Sequence, residues 1–407
     1  MDVRDARACF PGLEGKVFLD AATVSLAPAQ AREAIEAFLE SAVLCPERDA
    51  STHHIAMDEL RGVAVREAAT LLGAGEDEIA LVESTSHGLS IAARALSFGP
   101  RDNVVIDDLE FLQVAIPWAK LVEERALGEM RVARNHEGAV TVESLAEQVD
   151  ENTRAIAVSS VQWSNGYRLD LAALSAFCRD ERIVLVVDAV QELGALQLDL
   201  SRTPVDVLVA GGHKWLNAPF GCGVMYVRRG IQSQLGQPSW GYLGLETPYG
   251  GWGTYFSTPS ISPVRPYEFV ATAKRFELNG TSNYPGAVGL GASLALVNAI
   301  GAEQVERRVL GLAGLVREQL EAAGVRIVSR PEPEAWSGIT TFTVAGNPGE
   351  DEELLQRLLE QRIYVSRRYT SHVGGIRVST HYFNDEDDVE RLAAAVRAAL
   401  PRKHALA

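Results

Sequence analysis

The stretch 183-IVLVVDAVQELGALQLDL-200, continued by 205-VDVLVAGGHKWLNAPFGCGVMYV-227, decides the fold. Its two runs IVLVV and VLVA are apolar at successive positions rather than at alternate ones, the texture of strands covered on both faces of a sheet. Asp188 closes the first run. His213 and Lys214 follow the second, after Gly211 and Gly212. In open α/β sheets ligands bind in the crevice beyond the carboxyl ends of the strands, so both charges stand where a site forms. A lysine held against apolar walls gives up its proton more readily and becomes a usable amine nucleophile. Taken singly, these are ordinary strand-end charges in solvated loops; together and in this order they point to chemistry.

Working outward, 79-IALV-82, 103-NVVI-106 and 154-RAIAVSSV-161 repeat the apolar texture, and helical patterns at 87–98, 111–127 and 170–182 lie between such runs. This alternation predicts a doubly wound, mostly parallel α/β sheet. Residues 231–268 change texture, as in 240-WGYLGLETPYGGWGTYFSTP-259; their aromatic content predicts an ordered irregular segment. A long helical pattern spans 285–323, and strand–helix patterns near 325–362 and 374–400 predict a smaller second α/β domain. The expected division is an N-terminal segment 1–25 associated with the small domain, a large domain 26–284 and a small domain 285–407.

The whole chain agrees with this class. Its 407 residues are 47% hydrophobic and 23% charged, which excludes a disordered chain. With 38 Lys and Arg against 54 Asp and Glu, the net charge is −16, which disfavours nucleic acid and anionic lipid as partners. The four cysteines, Cys9, Cys45, Cys178 and Cys222, include no C-x-x-C pair, so no metal site is expected and a cytoplasmic setting is. The opening MDVRDARACFPGLEG lacks the apolar core of a signal peptide, and no membrane span is expected.

The motifs DAVQ (188–191), GGHKW (211–215) and GCGVMYV (221–227) resemble pyridoxal-phosphate enzymes of the class V aminotransferase family. The family includes cysteine desulfurases and isopenicillin N epimerase-like proteins. The resemblance extends through 18-FLDAATVSLAP-28, 84-STSHGLSIAA-93, 107-DDLEFLQVAIPW-118, 275-RFELNGTSNYPGAVGLG-291 and 376-IRVSTHYFNDEDDVERL-392. It implies the aspartate aminotransferase-like fold (fold type I), a pyridoxal 5'-phosphate cofactor, and a homodimer with shared active sites. Lys214 is then the Schiff-base lysine and proton shuttle, and Asp188 the carboxylate that keeps the ring nitrogen protonated. Gln191 resembles the residue at the ring's phenolic oxygen, and Phe111 the ring that stacks on the cofactor. Thr85, Ser86 and His87 open a helix after a strand, where free amides suit a phosphate; His213 resembles a further phosphate ligand. Gly211 departs from the serine common in relatives. Thr281 resembles the threonine that reaches the neighbouring subunit's phosphate. Either Gln162 or Trp163 falls near the phenolic oxygen.

Arg377 resembles the arginine that clamps a substrate α-carboxylate, for which a planar guanidinium fork is suited. Arg368 and His54 are candidates for further substrate contacts. Desulfurases with motifs like these carry a nucleophilic cysteine on the loop before that arginine. Here 364-YVSRRYTSHVGG-375 has none, so persulfide-forming desulfuration is not expected. Transamination of a small L-amino acid is placed first, C–S β-elimination on a cysteine derivative second, and epimerisation third. A non-catalytic cofactor-binding protein is disfavoured, because Lys214, Asp188, Gln191 and Arg377 are all present.

Overall fold

The computed structural model describes residues 1–344 and 346–400. Its strands are β1 (Val17–Phe18), β2 (Ile79–Val82), β3 (Asn103–Asp107), β4 (Glu129–Ala133), β5 (Thr153–Ser159), β6 (Val184–Asp188), β7 (Val207–Gly211), β8 (Gly223–Val227), β9 (Arg326–Ile327), β10 (Ile339–Thr343), β11 (Ile363–Tyr364), β12 (Ser366–Thr370) and β13 (Val373–Ser379). Strands β2 to β8 form one seven-stranded sheet in the order β2-β8-β7-β6-β5-β3-β4. Only β8 runs against its neighbours.

Side chains on a strand alternate between faces, and the fully apolar runs fill both. On one face Ile156, Val158, Leu185, Val187, Leu208 and Ala210 pack beneath the helices Ala50–Leu72, Leu171–Glu181 and Tyr284–Ile300. On the other, Ala155, Ala157, Val186, Val207 and Val209 pack against Leu89, Ile91 and Trp118 of the helices Thr85–Ala95 and Leu112–Glu123. The carboxyl ends of β3, β5, β6 and β7 open together along one edge, which positions the site.

The 285–323 pattern proves to be two helices, Tyr284–Ile300 and Ala302–Ala323, bent by 83°. The break is Gly301, whose φ of +96° closes the first helix in a conformation that favours glycine. The first of the two packs in the core of the large sheet through Leu290, Leu294 and Val297. By its packing it goes with the large sheet rather than, as expected, with the small domain. The reason is its nearly continuous apolar surface, which needs cover on several sides.

The small lobe is an antiparallel sheet of order β12-β13-β10-β9, with Val316, Leu320, Leu354, Leu358, Leu392 and Val396 packed together in its core. The N-terminal segment enters this lobe through β1, which pairs in parallel with β11. Phe10 and Ala21 pack instead in the large sheet's core, so the segment ties the two lobes together. Residues 401–407 of the expected small domain lie outside the described residues. Residues 240–268 are irregular but for short helical turns; Trp252 packs there against Tyr242, Tyr255 and Phe256. No single helix among the described residues is long and apolar enough to cross a membrane.

Candidate active site

A cavity of about 320 Å³ opens at the carboxyl edge of the large sheet, closed on its other side by β12, β13 and residues 22–23. Its lining includes Thr85, Ser86, Phe111, Asp188, Gln191, His213, Lys214, Arg368 and Arg377. Nine residues singled out in the sequence thus converge from the length of the chain.

Lys214 and Asp188 share one buried setting, which moves their proton affinities in opposite directions. Burial pushes the Lys214 amine down to about 8 against the pull of Asp188, with the Arg377 and Arg368 charges adding to the drop. Burial pushes the Asp188 carboxyl up to about 6, although it accepts the Val190 N–H at 2.9 Å and faces the lysine. The Lys214 loop is held from the small lobe: buried His381 places Nε2 3.1 Å from the Trp215 carbonyl. Burial holds the His213 imidazole down at about 4, with the Lys214 charge adding to it, so the ring is neutral; it stacks on Phe220 with centroids 5.2 Å apart.

The helix Thr85–Ala95 begins at the cavity wall. Ser84 caps it by accepting the His87 N–H at 3.1 Å. First-turn amides lack partners within the helix, so the Thr85 and Ser86 end presents donors and a positive dipole end to an anion. His87 does not share this role. Its amide is used by Ser84, its ring pairs with the Glu83 carboxylate, and it does not line the cavity. The Gly211 departure has a local reason: a Cβ there would meet Thr85 Oγ1 at 2.8 Å, and that hydroxyl already accepts the Gly211 N–H at 2.9 Å.

Phe111 and Trp163 form an edge-to-face wall, with ring centroids 5.3 Å apart. Lys214 Nζ stands 6.0 Å from the Phe111 centroid. Of the neighbours Gln162 and Trp163, Trp163 lines the cavity, donating Nε1–H to the Leu109 carbonyl at 3.1 Å. Gln162 turns away towards Asp107. Gln191 is locked by both ends of its amide, donating to the Ala22 carbonyl at 3.1 Å and accepting the Trp215 indole N–H at 2.8 Å.

Arg377 is 1% exposed. It donates to the Trp163 carbonyl at 2.7 Å and to Thr23 Oγ1 at 2.6 Å, and lies 3.4 Å from Asp20. Its Nε has no acceptor among the described residues. The loop 366–372 resolves into strand β12 and a two-residue turn. Alternation sends Tyr369 and Arg367 outwards, to Asp351 at 2.6 Å and Glu352 at 2.8 Å. Arg368 faces inwards, where Thr23 Oγ1 lies at 3.2 Å. His54 and Thr281 are exposed and do not line this cavity. His54 lies in a separate basin with Tyr242 and Trp252. Thr23, Asp20 and Ala22 were not singled out individually; the stretch 18-FLDAATVSLAP-28 was the signal that contained them.

This donor set fits pyridoxal phosphate. A lysine whose amine is pushed down to about 8 suits an aldehyde, a buried carboxylate short of partners suits a ring N–H, and an aromatic wall and a helix N-terminus suit the ring and the phosphate. The comparisons with known proteins agree. The family model for aminotransferase class-V matches residues 17–392. A probable cysteine desulfurase of Methanothermobacter thermautotrophicus is 26% identical over 412 residues, covering 96% of each chain. An uncharacterized aminotransferase of Schizosaccharomyces pombe is 27% identical over 335 residues, 82% of this chain and 80% of that one. Among solved structures, a cystine C–S lyase in complex with its product cysteine persulfide superposes with a TM-score of 0.84 at 25% identity, over 96% of this chain and all of that one. A fold type I architecture, a site built for the cofactor and a family match across the chain lead to one assignment: the chain belongs to the aminotransferase class-V family of pyridoxal-phosphate-dependent enzymes, which are transferases or lyases.

Proposed function

We propose that the enzyme is a C–S β-lyase acting on a cysteine derivative whose far end carries a second polar or anionic group. The observation that carries this reading is Arg368: a guanidinium facing the cavity beside Arg377, with no acidic partner among the described residues.

The bound cofactor supplies an electron sink for the pair left at Cα when a proton departs. Arg377 receives the substrate carboxylate, holding it beside Thr23. Asp188 would hold the ring nitrogen's proton. Thr85, Ser86 and neutral His213 would hold the phosphate, and Phe111 would pack against the ring. Lys214, its amine free of the cofactor, would take the Cα proton. The Cα pair would then form the Cα–Cβ double bond as the Cβ–S bond breaks, sulfur leaving with that bond's electron pair, while Arg368 holds the far polar group of the substrate.

Several features support this over the alternatives. No cysteine lines the cavity; Cys178 and Cys222 are buried with thiols pushed up to about 12 by burial, so a persulfide-accepting thiol is lacking there. Epimerisation by two bases calls for a second base across from Lys214, and the Phe111 and Trp163 rings stand there instead. The C–S lyase among the structural relatives carries out the proposed class of reaction. Transamination is the second reading, since Lys214 also serves it and a relative is described as an aminotransferase. We further propose a homodimer in which exposed Thr281 reaches the partner's phosphate site, and a cytoplasmic setting.

The test supplies L-cystine and cysteine S-conjugates to the loaded enzyme with no 2-oxo acid acceptor. Many equivalents of pyruvate and ammonia per site support the lyase. Turnover that stops at one equivalent and resumes when a 2-oxo acid is added means an aminotransferase.

A further inference from the structure

Behind the ring wall lies a pair of carboxyls that the reaction above does not use. Asp107 ends β3 and Glu110 follows three residues later; they are 2% and 8% exposed, and neither lines the cavity. The end of β5 grips Glu110, whose carboxyl receives the Ser159 N–H and hydroxyl at 2.5 Å each. Asp107 accepts the Leu109 N–H at 2.8 Å. Gln162 bridges the two, with Nε2 3.1 and 3.3 Å from the Asp107 oxygens and 3.4 Å from Glu110.

Two neighbouring carboxyls taken out of water do not both ionise. Burial pushes Asp107 up to about 6, and burial together with the Asp107 charge pushes Glu110 well above the usual range, so the pair holds one proton between them. Other charged groups close by worsen rather than relieve this. Asp108 adds repulsion to Asp107 while pairing with Arg134 at 3.6 Å. Asp188 on β6 is the register neighbour of Ser159. Among the described residues neither carboxyl has a cationic partner.

The connections from this pair run into the site. Phe111 directly follows Glu110, and Trp163 directly follows Gln162. The Trp163 indole is tied to Leu109 between the two carboxyls, and its carbonyl receives Arg377. We infer that the Glu110–Asp107 pair, with Gln162, is a positioning device that sets the Phe111–Trp163 wall and, through the Trp163 carbonyl, the Arg377 guanidinium. Its shared proton is what holds it. Loss of that proton puts two carboxylates side by side and drives them apart, loosening both rings and the clamp. The inference rests on the cavity being the cofactor and substrate site.

The test compares wild type, Glu110→Gln and Glu110→Leu from pH 6 to 10. Pyridoxal phosphate is titrated into cofactor-free protein by absorbance, and KM and kcat are measured on loaded enzyme. Glutamine keeps a donor towards Asp107 and an acceptor towards Ser159 but has no proton to lose; leucine keeps neither. The wild type is expected to show a cofactor Kd and a substrate KM that rise tenfold or more at the alkaline end. E110Q matches wild type at pH 7 and lacks that rise. E110L is weaker by tenfold or more at every pH, with KM moved more than kcat. A wild-type profile without the alkaline rise, or an equal rise in E110Q, overturns the inference. If E110L does not fold, the comparison of wild type with E110Q decides alone. A wild type that takes up no cofactor at any pH overturns the site reading as well.

Discussion

Thr23 and Arg377 meet at 2.6 Å across 354 positions of sequence. The contact joins the segment that ties the lobes to the strand that carries the substrate clamp. The same hydroxyl lies 3.2 Å from Arg368, so one small side chain orients both guanidiniums of the cavity.

The two arginines separate by substrate. Arg377→Ala is expected to raise KM about a hundredfold for every amino acid, because a charge-assisted bidentate contact is worth roughly 2–3 kcal/mol. Arg368→Ala is expected to leave small neutral amino acids nearly unchanged and to raise KM about tenfold for cystine-like or acidic ones. Equal losses in both classes would show that Arg368 also serves the α-carboxylate.

Lys214 sets a pH dependence on cofactor capture. Its amine is pushed down to about 8, so the neutral, reactive fraction grows as pH rises through 8 and then levels. The rate of pyridoxal phosphate uptake by cofactor-free protein is expected to follow that curve in stopped-flow absorbance. Lys214→Ala abolishes turnover and, after borohydride reduction, gains no cofactor mass in the spectrometer. A fully active variant would sink the mechanism.

Asp188 trades stability for function. Its folded pKa is raised to about 6, so its stabilising contribution is complete below its unfolded value and is lost as pH rises through 6. Cofactor-free Asp188→Asn avoids that loss. It is expected to exceed wild type at pH 8 by up to about 3 kcal/mol in unfolding free energy, with no such gain at pH 4. Turnover of the loaded variant falls a hundredfold or more. Denaturant melts at both pH values check the first point; an equal difference at both pH values counts against it.

Gly211→Ser tests the fit around Thr85. The new Cβ would crowd Thr85 Oγ1 at 2.8 Å, so cofactor affinity is expected to fall about tenfold, or roughly 1.4 kcal/mol. The double variant with Thr85→Ala is expected to recover much of it, since the two sites share one space. Strict additivity of the two losses would count against the crowding.

Much of the site was legible in the sequence because strand ends announce themselves. Apolar runs that stop at Asp188, or just short of His213 and Lys214, place those side chains at the sheet's carboxyl edge by local pattern alone. The N-cap signature at Ser84 located the helix start in the same way, although it did not tell that His87 would be used up by Ser84 and Glu83. Gln162 and Trp163 could not be told apart, because both lie in an irregular turn after β5 where no periodicity assigns a face. Arg368 was one polar residue among several in a loop-like stretch. Only its pairing with Gly375 in a hairpin turned it inwards and its neighbours out.

The sequence by itself determined the layered α/β sheet and the lysine–aspartate pair at its strand ends, and through the resemblance of its motifs to a known family it implied the cofactor. The first two follow from local hydrophobic pattern and from residues read within a short stretch. Tertiary structure alone decided which helix serves which lobe, the meeting of Thr23 with two arginines, and the burial of Glu110 beside Asp107. Those depend on contacts between residues far apart in the chain, and on the removal of water that moves the proton affinities of Lys214, Asp188 and Glu110. No local pattern encodes how deeply a side chain will be covered.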